Sequence, residues 1–390
     1  MAPTTGLFLT RTLNSGRVSL EFAEQWKSPS DVFSVLLILG GDVVARALAQ
    51  VSGSRLTPVA FSFGWVAYAV SAVVLTVGEN RLMPPPDCSC KVINGLNGYA
   101  RDNTSWILGR MVRDYESWMD GGMLEGPVHQ RLARILNDSW EATKREQKQT
   151  HGEITRPRQA GLCVSVYRAV QTVPGHPGYD RVYFTGLATW LIQLGIAAIP
   201  YGLFGNWAIL LVTGAGIFLA MITGALGQWK LEKWAGRPNR SAGKPVILTK
   251  GNGSQHAIVI LSDKDLCLDL ETLASGQANI DVSTSLLTRV TITVLAAMWT
   301  CLLITASAIT HDTWFLLAIG GIGILQNVFT AGARRTPESF GFVLKFEEVI
   351  GHFKVMETLV QVEKKYPRTG KSMLPTFFPG ELLPAEVKLW

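Results

Sequence analysis

Charge is missing from five long stretches of this 390-residue chain. Residues 57–78, 184–200, 207–228, 290–309 and 314–330 hold no Asp, Glu, Lys or Arg, and each is 17 to 22 residues long. A helix that crosses ~30 Å of hydrocarbon needs about 20 residues of this kind. Unpaired backbone amides are costly in lipid, so the runs are expected to be helical. Cysteine is scarce as well. The five, Cys88, Cys90, Cys163, Cys267 and Cys301, are irregularly spaced, which argues against a disulfide framework and fits thiols kept reduced. The six histidines include no pair at metal-ligand spacing on one helix. No serine or cysteine stands in a nucleophile motif. The first thirty residues are mostly polar and lack the apolar core of a secretory signal.

Charged stretches separate the apolar runs. A sixth membrane helix is expected at 31–50, where an apolar run at 32–39 is followed by Gly40, Gly41, Asp42 and, one turn on, Arg46. Asp42 and Arg46 share a helix face and can pair, and a bundle admits such a pair if that face looks inward. Residues 51–56 then read as a hairpin link. That link holds only Arg55, and the links 202–206 and 310–313 hold no Lys or Arg. The stretches 81–181 and 230–264 and the chain after Arg334 hold nearly all the basic residues. Lys and Arg near span ends favour the cytoplasmic side. Both termini and both large inserts are therefore expected in the cytosol, with three short hairpins across the membrane, which is endoplasmic reticulum or plasma membrane. The net charge of +6 points to anionic headgroups rather than nucleic acid. Sequons at Asn103, Asn137, Asn239 and Asn252 would stay unmodified in that arrangement.

Seven segments follow: an N-terminal cytosolic stretch 1–30, a transmembrane hairpin 31–78, a cytosolic helical insert 79–181, a hairpin 182–229, a second insert 230–285, a hairpin 286–331 and a tail 332–390. In the first insert Trp106, Ile107, Leu108, Met111, Val112, Tyr115, Trp118 and Met119 recur at helical spacing. A second amphipathic helix follows Pro127, and the two are expected to pack on each other or to lie on the bilayer. In the second insert, residues 245–249, 256–261 and 266–270 read as a small β-meander with Gly251-Asn252-Gly253-Ser254 as a tight turn. Thr336-Pro337-Glu338 opens an amphipathic helix, whose stripe Phe342, Phe346, Val349, Ile350, Phe353, Met356, Leu359 and Val360 runs up to Tyr366-Pro367. The expected fold class is a membrane all-α protein of about six transmembrane helices. To these are added a cytosolic helical insert, a small cytosolic β-meander and an amphipathic C-terminal helix.

Chemistry is thinly marked. Cys88-Ser89-Cys90 is a lone thiol pair, better read as surface thiols than as a metal site. Asp114, Glu116 and Asp120, with Asn137, Asp138 and Glu141, space their carboxylates too irregularly for the paired motifs that hold Mg²⁺ against a diphosphate. Asp263, Asp265, Asp269 and Glu271 flank the third strand. Solvated surfaces explain both groups. Inside the membrane the catalytic candidates are Asp42 and Arg46. They are either an ion pair that fixes helix registry, or Asp42 is an acid that protonates an alkene or epoxide. No cofactor and no metal is called for.

Several segments also resemble a known group. They are Gly40-Gly41-Asp42-Val43-Val44-Ala45-Arg46-Ala47-Leu48-Ala49-Gln50, the run from Thr57-Pro58 to Ala67-Tyr68, Arg81-Leu82-Met83-Pro84, Gly98-Tyr99-Ala100-Arg101-Asp102-Asn103 and Phe377-Phe378-Pro379-Gly380-Glu381. Together they resemble a family of multi-pass membrane proteins from filamentous fungi, often encoded beside secondary-metabolite genes. The resemblance implies an accessory role in making, moving or tolerating a natural product. Its partners would be the lipid bilayer, pathway enzymes at the cytosolic inserts and a lipophilic small molecule. The alternatives are a membrane-embedded cyclase acting on a terpenoid or polyketide, and a small-molecule transporter.

Overall fold

A computed structural model describes residues 30–390 except 124, 148–155, 158, 160, 177, 240–242, 263–266, 277–279 and 389. The expected N-terminal segment, Ser30 apart, lies outside the described residues. In chain order the elements begin with α1 (Ser30–Val51), α2 (Gly64–Val74, continued as a π-helical turn to Glu79), β1 (Lys91–Asn94) and β2 (Ala100–Asp102). Then come α3 (Trp106–Arg113), α4 (Tyr115–Trp118), α5 (Pro127–Gln147), β3 (Leu162–Thr172), α6 (Arg181–Phe204), α7 (Ala208–Gly224) and α8 (Gly227–Lys233). The remainder is β4 (Lys244–Thr249), β5 (His256–Ser262), α9 (Leu270–Ala274), α10 (Leu286–Ser307), α11 (Thr313–Gly332), β6 (Phe342–His352), α12 (Val355–Lys365), α13 (Thr369–Phe377) and α14 (Pro384–Val387).

Helices α6, α10 and α11 are long and apolar enough to cross a membrane. The bent pair α7 and α8, 44° apart, adds a fourth if it is one span. Local signals set their limits: Asp180 accepts from Tyr183 N at 3.0 Å to start α6, Gly205 ends it at φ +71°, and Ser285 caps α10. Asn206 Nδ2 lies 3.1 Å from Asp312 Oδ2, which ties the α6–α7 and α10–α11 links together at one end of the bundle. The sheet occupies the other end.

The run at 57–78 is not one helix. Residues 57–63 are non-helical and fully buried, and α2 begins only at Gly64. This segment threads the bundle from the sheet end inward. Thr57 Oγ1 donates to Gly224 O at the end of α7, and Phe61 lies against Gly216, Gln193 and Gly323 farther in. From there α2 returns to the sheet end, where Arg289 and Thr284 N bond to Asn80. Helices α1 and α2 therefore run side by side in the same direction. Gly40 faces Gly64 so closely that a Cβ on Gly40 would sit 2.5 Å from the Gly64 Cα. Val51 ends α1 at the sheet end, because Lys233 Nζ donates to Gln50 O and Ser52 O. The link 51–56 thus lies with the sheet, not with the two far links where the charge pattern had put it. A link with a single arginine carries too little charge to betray its side.

The aqueous parts also differ from the expectation. The first insert is not purely helical: it supplies β1, β2 and β3. Those strands, β4 and β5 from the second insert and β6 from the tail form one six-stranded sheet of order β2-β1-β4-β5-β3-β6. Among the described strands, β3 and β5 are the parallel pair. Two strands of the expected meander are present and antiparallel. The third is replaced by an isolated bridge at Leu268 and by α9, and its first residue, 266, lies outside the described residues. The tail does not open as a helix. After a 3₁₀ turn at Pro337–Phe340 it forms β6, which pairs with β3 over its full length, and only then α12. Helices α3, α4 and α5 cover one sheet face and α12 and α13 the other, so α3 and α5 pack on the sheet rather than chiefly on each other.

Candidate functional site

Arg46 Nε lies 3.0 Å from Asp42, so the expected ion pair is formed, but the two side chains are 49% and 71% exposed. The pair stands outside the bundle interior and lines none of the cavities described below. The acidic groups are dispersed into structural bonds. Asp114 holds Arg113 Nε at 2.7 Å and Arg335 N at 3.2 Å. Asp120 caps α5 through Val128 N and His129 N, and meets His129 Nδ1 at 2.5 Å. Asp269 and Glu271 bind Lys244, and Glu271 also binds Arg101. Asp263 and Asp265 lie outside the described residues. No three His, Cys, Asp or Glu side chains among the described residues gather as a metal site. Burial pushes the Cys90 thiol up to about 12, which makes it a poor thiolate.

Where the bundle meets the sheet domain, the cations do structural work. Neither α1 nor α11 carries a basic residue in its last turn, so their terminal carbonyls need outside donors. Lys233 and Arg335 donate to Gln50 O, and Arg110 and Arg113 reach Ala331, Gly332 and Ala333. Positive charge at a helix C-terminus is favourable. Arg335 is further held by Asp180 at 2.7 Å. Arg110 is wholly buried over the Trp106 ring, and burial lowers its guanidinium to about 10 despite Asp87 at 3.2 Å.

Two cavities of ≈330 Å³ each open on the sheet face covered by α3–α5. The first is aromatic and apolar, lined by Trp118, Met119, Met123, Tyr167, Leu344 and Phe346, with Asp120 and Glu338 as its acidic groups. Thr336 and Pro337, just past the end of α11, close one side. The second is polar and lies at the β4–β5 turn, among Arg113, Tyr115, Glu116, Lys250, Gly253, Ser254 and His256. An aromatic wall divides them: Tyr115 meets Trp118 at 5.0 Å, Trp118 meets Tyr167 at 5.3 Å, and His256 abuts Tyr115 at 5.0 Å. Burial holds the His256 imidazole below its usual range, against the pull of Glu116.

The spacing predicts one apolar helix through Trp118 and Met119; the structure breaks it at Asp114 and leaves Met119 in the turn after α4, with both side chains buried, and local spacing could not bring Tyr167, Leu344 and Phe346 to them. These come from β3 and β6, strands whose pairing is set across more than 170 residues. No protein-family model, curated protein or solved structure matches this chain.

Proposed function

We propose that this chain is a multi-pass membrane protein that receives a lipid-soluble small molecule in the aromatic cavity, as an accessory component of natural-product biosynthesis. The position of that cavity carries the reading. Thr336 is four residues beyond Gly332, the last residue of α11, so the rim lies within about 14 Å of chain from the end of an apolar helix. Pockets for small molecules combine apolar walls with a few placed polar groups, and methionine lining adapts to irregular shapes. The pathway class rests on the resemblance to the fungal proteins.

In the membrane reading, α1, α6, α7, α10 and α11 cross, and 57–79 enters and leaves from the sheet side. Non-helical backbone is tolerated at depth where protein surrounds it. The sheet domain and tail face the cytosol, and Ser30 stands at the opposite end of α1. On this reading residue 30 and the tail stand on opposite sides, and the segment before residue 30 lies outside the described residues.

The test is retention. Protein in nanodiscs is incubated with an extract of the host lacking the gene, washed, and its bound compounds identified by mass spectrometry. A compound held by the wild type and lost in Leu344→Trp, which fills the cavity, supports the reading. Equal retention by both overturns it, and chemical conversion of the compound makes the protein an enzyme.

The buried segment favours a second reading, translocation, because broken elements mark transporter binding sites. Uptake into liposomes that is abolished by Gly323→Val would establish it.

A further inference from the structure

We propose that the polar cavity at the β4–β5 turn is a separate binding site for an oxyanion, a phosphate or carboxylate group carrying a hydroxyl or amine beside it. The site is distinct from the aromatic cavity and does not depend on the reading given to it.

Lys250, His256 and the backbone of Gly253 bring donors to its lining. Lys250 lines the cavity and has no hydrogen-bond or ion-pair partner among the described residues. Arg113, by contrast, is committed: its guanidinium serves Asp87, Asp114, Gly332 and Ala333. An unpaired lysine over a polar hollow is a ready point charge for an anion. The Nδ1 atom of His256 is buried without a partner. An orphaned buried polar atom is costly unless something binds it. As the Nδ1–H tautomer it donates to an anionic oxygen.

The turn supplies the backbone. Gly251 at φ +98° and Gly253 at φ +79° flank Asn252, a conformation that needs glycine. Ser254 N is spent on Gly251 O, and Gly251 N on Thr249 Oγ1. The N–H groups of Asn252 and Gly253 bond to nothing among the described residues, and Gly253 lines the cavity. Successive free N–H groups in such turns form anion-binding concavities. Glu116, exposed at the rim, opposes this attraction. A bare anion is therefore disfavoured relative to one with a neighbouring donor that Glu116 accepts. Tyr115 closes the floor with its ring against His256.

The experiment is calorimetric titration of the full-length protein in nanodiscs, with empty nanodiscs subtracted, using inorganic phosphate and phosphoethanolamine as probes. Both are expected to bind, phosphoethanolamine more tightly. Lys250→Gln is expected to weaken phosphate at least about tenfold, a change of ~1.4 kcal/mol. Glu116→Gln should strengthen phosphate and erase the advantage of the amine. Leu344→Trp should leave both probes unaffected, which separates this site from the aromatic cavity. Lys250 is exposed, so its replacement is compatible with folding. Absence of binding by the wild type, or equal binding by Lys250→Gln, overturns the proposal.

Discussion

Asn327 does for Ala60 what a neighbouring strand would do. Its Oδ1 accepts from Ala60 N at 3.1 Å and its Nδ2 donates to Ala60 O at 3.0 Å. Trp190 Nε1 serves Val59 O, and Gln193 Nε2 serves Phe61 O. These side chains allow extended backbone to persist among helices. Asn327→Leu would strand the buried Ala60 N–H, while Ala60 O keeps its bond from Trp65 Nε1 at 2.8 Å. We expect a loss of about 1–3 kcal/mol, read by reversible unfolding in mixed micelles, and no loss for exposed Ser71→Ala. His256 has an opposite kind of sensitivity. Its folded pKa is depressed, so the unfolded chain takes up the proton first. Stability is therefore unaffected well above the usual histidine value of about 6.5 and falls as pH drops through it. Unfolding midpoints between pH 7.5 and 5.5 should show this slope diminished in His256→Gln. The Asp42–Arg46 pair was legible because four-residue spacing is local. The role of Asn327 was not, although an amide in an apolar run is itself a signal of inward burial.

The element most misread was β6. Phe342 and Phe346 are four apart, which suits one face of a helix, but four is also an even number and so suits one face of a strand; an irregularity after Phe346 then turns Ile350 to the opposite sheet face. Pairing with β3 decides between them, and that contact is invisible locally. The register sets Ser165 opposite Val349. Ser165→Cys with Val349→Cys should cross-link under mild oxidant, as shown by a gel shift under non-reducing conditions; a helical tail would leave the thiols apart. The 57–63 stretch was misread for a related reason: lack of charge reports burial in an apolar setting but not the backbone's shape. The link between bundle and sheet is equally particular. Arg335→Met removes the donor to Gln50 O and Gly178 O and leaves Asp180 with less compensation. Breaking a fully buried pair costs about 3–5 kcal/mol; Asp180 is 28% exposed, so the loss here is expected below that range. Thermal unfolding should show the midpoint fall, with Arg334→Met, exposed next door, as the silent control.

For the whole molecule, sidedness is the sharpest test. With Cys88 and Cys301 replaced by serine and the buried Cys90, Cys163 and Cys267 kept, a cysteine introduced at Ser54 should react with an impermeant maleimide from the same side as one at Leu383. One at His311 should react from the other. Labelling of positions 54 and 311 together would restore the hairpin arrangement and refute the buried return of 57–79. The sheet holds a further consequence for how the chain is made. Its strands come from three stretches separated by apolar helices, and the last strand to leave the ribosome, β6, pairs with β3. Until then one full edge of β3 offers unpaired amides to any passing strand, a hazard for a slow-assembling sheet. Synthesis must therefore complete every helical passage before that edge is sealed. A chain that stalls or terminates after Gly332 would carry an open template for aggregation into quality control, marked by its own unfinished sheet.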